Sequence, residues 1–106
     1  MRFTILHGKS RQEAVRIVDE SFQDLFKGLP IPALQFTNQH RSWTGSIMTF
    51  ALTASIGFLQ NPIHGTATVT DRELTIDADP GLLEKLISRG KLKTTIEGSL
   101  HKLLPG

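Results

Sequence analysis

From Ser46 to Phe58 the chain alternates. Met48, Phe50, Leu52, Ala54, Ile56 and Phe58 are apolar at even positions, and mostly small or hydroxylated residues stand between them. A period of two predicts a strand with one buried face. About thirteen residues is longer than the usual 3–10, so a bend or bulge is expected near Gly57. A turn at Asn61-Pro62 then leads into a second alternation, in which Ile63, Gly65, Ala67 and Val69 interleave with His64, Thr66, Thr68 and Thr70. Asp71-Arg72 gives a tight connection to a third, carried by Leu74, Ile76 and Ala78. Consecutive strands joined by short turns are antiparallel.

The flanks read differently. Arg2 to Leu6 is a short strand, and Ser10-Arg11-Gln12-Glu13 is a capping box that opens a helix. Ala14, Val15, Val18, Phe22, Leu25 and Phe26 recur at three- and four-residue spacing, and Gly28, Pro30 and Pro32 stop the helix. Leu34 and Phe36 begin a strand that turns polar at Asn38 to Arg41, with a turn expected near Ser42 to Gly45. Asp79-Pro80 reads as a helix start. Leu82, Leu83, Leu86 and Ile87 form its apolar stripe, and Leu92, Ile96, Leu100, Leu103 and Leu104 resume the stripe after an interruption at Gly90. The order is β-α-β-β-β-β-α, an α+β two-layer sandwich with an antiparallel sheet and helices packed on one face. The opposite face, rich in threonine, is expected to meet water.

The 106 residues suit one domain, 1–106, with a modest core. Cysteine is absent, which excludes disulfides, thiolate metal sites and cysteine nucleophiles. No apolar run is long enough to span a bilayer, and the first residues are too short an apolar stretch for a signal peptide. A cytoplasmic location is therefore expected. A net charge of +2 is too small to argue for nucleic acid, and no nucleic-acid partner is expected.

Each candidate chemistry meets a simpler reading. His7, His40, His64 and His101 lack the spacing of a helical metal pair. His7, which ends a strand beside Gly8, His64 and Trp43 are candidate cleft residues, although a lone tryptophan beside a turn more often plugs a sheet end. Asp71, Glu73, Asp77 and Asp79 are close in sequence, yet that spacing usually marks a solvated strand face. Lys85, Arg89, Lys91 and Lys93 form a candidate surface-binding patch for an anionic surface, diluted by Glu84 and Glu97. Gly8-Lys9-Ser10 lacks the upstream glycine of a phosphate loop. No catalytic residue, cofactor or metal ligand set emerges.

His7, Glu13-Ala14, Trp43-Thr44-Gly45, the run from Gly65 to Asp71 and the leucine-rich end after Asp79-Pro80 together resemble the polyhydroxyalkanoic acid system proteins of bacteria. The resemblance covers nearly the whole chain. It implies association with polyester granules, or with granule proteins, and no established catalytic residues. The leading expectation is a small non-enzymatic accessory or binding protein, cytoplasmic and granule-associated. The alternative is a module that holds an acyl or hydroxyacid ligand in a cleft between sheet and helix. Pairing of a sheet edge with a second copy would make a homodimer.

Overall fold

A computed structural model describes residues 1–24 and 33–104. It holds one antiparallel sheet of five strands, β1 (Arg2–Leu6), β2 (Gln35–Thr44), β3 (Ile47–Ile56), β4 (Leu59–Val69) and β5 (Glu73–Asp79), in the order β1-β5-β4-β3-β2. The helices are α1 (Arg11–Glu20), α2 (Leu83–Leu86) and α3 (Arg89–Leu103). β1 and β2 are the edges, so the connection through α1 must carry the chain from one edge to the other.

The expected two-layer α+β arrangement is the one observed. Met48, Phe50, Leu52 and Ala54 of β3 are buried with Ile63, Ala67 and Val69 of β4, and Leu74, Ile76 and Ala78 of β5. Ala14 and Val18 of α1 and Leu92, Ile96 and Leu100 of α3 close over them. Burial of this kind, at roughly 25 cal/mol per Å² of apolar surface, holds the layers together.

Several boundaries differ from expectation, each for a local reason. The alternation from Ser46 does not run on to Phe58. It ends at Ile56, where Gly57 (φ 57°) and Phe58 form a two-residue turn closed by the Ile56–Leu59 pair. Glycine at the first central position supplies the positive φ that this kind of hairpin turn requires. Phe58 is consequently wholly exposed instead of facing the helices. Asn61-Pro62 is not a turn, since both residues lie within β4. Proline is tolerated because β5 pairs with β4 only from His64 to Val69, leaving Pro62 at an open stretch of strand. Asn61 is buried, and its side chain stands in for a missing neighbour strand. Its amide donates to the Pro80 carbonyl at 2.9 Å, and its Oδ1 accepts from the Leu82 N–H at 2.7 Å.

Asp79 does not start a helix. Its Oδ1 accepts from the Gly81 N–H at 2.9 Å, and Gly81 has a φ of 58°, so helical geometry begins only after it. The break between the two C-terminal helices falls at Ile87-Ser88 and not at Gly90. Ile87 is extended and buried, and the Ser88 hydroxyl accepts from the Lys91 N–H at 3.2 Å as a new cap. Near the N-terminus the Ser10 cap is as expected, accepting from the Glu13 N–H. The α-helix ends at Glu20, earlier than the apolar spacing suggests. A short 3₁₀ turn, Phe22–Asp24, tightens the chain and sets the Phe22 ring edge-on to Phe50 at 5.5 Å. The continuation expected at Leu25, Phe26 and Gly28 lies outside the described residues.

The expected turn at Ser42 to Gly45 shrinks to Gly45-Ser46, and β2 runs through the polar residues before it. Thr37 pairs with Thr53 and His40 with Ala51, so Asn38 and Gln39 together face Leu52. This is a bulge, with Asn38 at φ 52°. It reverses the facing of every later residue of the strand. Arg41 and Trp43 point toward the helices, and His40 and Ser42 point to the open side.

Candidate functional site

The three candidate cleft residues stand in three separate places. His7 is buried beyond the end of β1, with Nε2 2.8 Å from the Thr70 carbonyl and Nδ1 3.3 Å from the Lys9 N–H. A carbonyl can only accept and an N–H can only donate, so Nε2 carries the proton and Nδ1 the lone pair. Nε2 ties the end of β1 to the turn between β4 and β5, and Nδ1 holds the local bend at Gly8-Lys9. Trp43 is half-buried on the helix side of β2, and its indole N–H donates to Asp19 Oδ1 at 2.9 Å. His64 is on the opposite, open face.

Asp19 is the hub of the Trp43 contact. Arg41 Nε donates to the same oxygen at 2.7 Å, and the Arg41 guanidinium lies 5.6 Å from the centre of the Phe22 ring. The hydrogen bonds from Trp43 and then Arg41 hold the Asp19 carboxyl below its ordinary value. This group clasps α1 to the edge strand β2.

The basic residues are less of a patch than their spacing suggests. Arg89 makes a two-pronged pair with Glu84, and Lys93 lies 3.7 Å from Glu97. Lys91, two positions from Arg89 and Lys93, projects to a different side of α3 at 100° per residue. Lys85 is exposed on α2. The carboxylates are also dispersed. Asp71 pairs with Arg11 at 3.2 Å, and Asp79 approaches His64 Nε2 at 3.7 Å. Among the described residues no three His, Asp or Glu side chains are placed to hold a metal ion.

The most unusual surface is the turn between β3 and β4. Phe58 has a relative exposure of 106% and Leu59 of 58%, so folding leaves both rings and methyls in water. Their neighbourhood is uncharged over a long span, because no Asp, Glu, Lys or Arg occurs from Ser42 to Thr70. Leu82, tied to β4 through Asn61, adds a further exposed apolar side chain on the same side of the β5 terminus. Single exposed apolar residues are ordinary. An exposed aromatic at the tip of an uncharged hairpin is not explained by packing. The alternation placed Phe58 in the core, and only the glycine before it signalled that the chain turns there. No family model, curated protein or solved structure matches the chain.

Proposed function

We propose that the protein is a small non-enzymatic accessory protein that rests on an apolar surface through the Gly57-Phe58-Leu59 tip. The surface of a polyhydroxyalkanoate granule is the one the family resemblance implies. The observation that carries the reading is the full exposure of Phe58 on a hairpin free of carboxylate, ammonium and guanidinium groups. Charged groups resist transfer out of water by far more than hydroxyls or amides do. An uncharged tip avoids that cost.

The expected strength is modest. Removing one phenylalanine and one leucine side chain from water stabilises the bound state by roughly 3–5 kcal/mol. That is no more than a single acyl chain supplies, and it gives reversible binding. Many copies on one particle would still cover it.

Co-sedimentation with purified granules, or with amorphous polyester particles, tests the reading. The wild type is expected to pellet with the particles well above an unrelated protein of equal charge. Phe58→Ser with Leu59→Ser is expected to reduce the bound fraction at least fivefold while leaving the far-UV circular dichroism unchanged. Binding no greater than the control, or an unaffected double variant, refutes it.

A further inference from the structure

The bulge at Asn38-Gln39 turns His40 onto the open face of the sheet, where the register sets it in one row with three other residues. His40 on β2 pairs with Ala51 on β3, Ala51 pairs with His64 on β4, and His64 pairs with Asp79 on β5. All four are exposed on the same side. We propose that His40 and His64 form a two-imidazole chelate for a divalent transition-metal ion of the zinc, nickel and copper class, seated over Ala51.

Adjacent antiparallel strands place facing residues about 4.5 or 5.5 Å apart in alternation, so two steps separate the histidine backbones by about 10 Å. An imidazole carries Nε2 about 3.6 Å beyond Cβ, and a metal–nitrogen bond adds about 2.0–2.1 Å. Two such arms meet at a tetrahedral angle across a Cβ separation of roughly 9 Å, which the side-chain torsions can accommodate. The ion would then hang above the middle strand, where alanine is short enough to clear it.

The surface has the matching shape. A depression of about 400 Å³ is lined by both histidines and by Ala51 between them, with Arg41, Ser42, Thr49 and Phe50 further along the same two strands. Ser42 and Thr49, which pair with each other two residues along from His40 and Ala51, border the same depression. His64 Nε2 faces Asp79 at 3.7 Å, and both side chains are well exposed. A turn about the His64 torsions exchanges that long contact for the position over Ala51. Imidazole nitrogen favours copper, nickel and zinc, whereas magnesium and calcium take oxygen. With two protein ligands and the rest of the shell open to water, the ion is exchangeable and not structural.

The test uses the whole chain without a polyhistidine tag. Calorimetry and histidine-ring NMR follow titration with Zn²⁺, Ni²⁺ and Cu²⁺ separately. One ion per chain is expected, with Cu²⁺ bound more tightly than Ni²⁺ or Zn²⁺ and no response to Mg²⁺. His40→Ala and His64→Ala are each expected to weaken binding at least tenfold. Ala51→Leu keeps both imidazoles yet fills the space between them, and is expected to weaken binding to a similar degree. His101→Ala, on α3, is expected to leave it unchanged. The proposal is overturned by an absence of saturable binding in the wild type. It is equally overturned if either histidine variant, or Ala51→Leu, binds as the wild type does.

Discussion

Asp19 collects two donors from a strand more than twenty positions further along the chain, and that contact decides what Trp43 does. Neither hydrogen bond can be read from local spacing, because each depends on the bulge that turns Arg41 and Trp43 inward. A polar run such as Asn38 to Arg41 marks a break in alternation without saying that an extra residue has been inserted. The Asp19 carboxyl titrates below its unfolded value. Its contribution to stability is therefore present above the unfolded pKa and is lost as pH falls through the folded one. Asp19→Asn is expected to lose about 1 kcal/mol at pH 7, a figure kept small by solvent screening. The difference from wild type should shrink toward pH 2 in urea denaturation. Asn38 itself occupies left-handed backbone, which asparagine tolerates and a β-branched residue does not. Asn38→Val is expected to cost about 1–2 kcal/mol and Asn38→Gly to be nearly neutral, as read by denaturant midpoints.

At the scale of elements, alternation located the three central strands and the buried face of each, because a half-covered sheet imposes period two on every strand it contains. Ends were harder to place, since they depend on single residues with more than one use. Gly57 could have marked a bulge, and Asn61-Pro62 a turn. The hairpin closes at the glycine because its positive φ fits, while Asn61 is drawn inward to satisfy backbone groups of a distant loop. Gly81 and Gly90, on either side of α2, should respond oppositely to alanine. A Cβ on Gly90 meets nothing within 4 Å and lies in the first turn of α3. Gly90→Ala is expected to stabilise by about 0.4–1 kcal/mol through a less flexible unfolded chain. A Cβ on Gly81 would collide with Asn61 Oδ1, and the residue has a φ of 58°. Gly81→Ala is expected to destabilise by about 1–3 kcal/mol and to disturb the Asn61 amide signals in NMR spectra. Opposite shifts in melting temperature for the two variants are the check.

Across the whole molecule, charge and apolar exposure are segregated in a way that composition conceals. A nearly balanced chain of net charge +2 confines its Asp, Glu, Lys and Arg to the residues before Ser42 and after Thr70, leaving β3 and β4 with none. Those two strands extend past the last β5 partner in a body 41 Å long and 19 Å thick, and their joining turn carries Phe58. Two attachment mechanisms then make different demands on ionic strength. If Lys85 and Lys91 held the protein on an anionic particle, the interaction would fade as the screening length falls from about 10 Å at 0.1 M salt to about 3 Å at 1 M. Contact through Phe58 and Leu59 involves no charge, and added salt leaves hydrophobic burial intact or strengthens it. The bound fraction on polyester particles is therefore expected to hold steady or rise between low and high salt. Lys85→Glu with Lys91→Glu should change it by less than twofold, while Phe58→Ser with Leu59→Ser lowers it at least fivefold at every salt concentration. A sharp loss of binding in salt, with the tip variant behaving as wild type, would assign the contact to the helices instead.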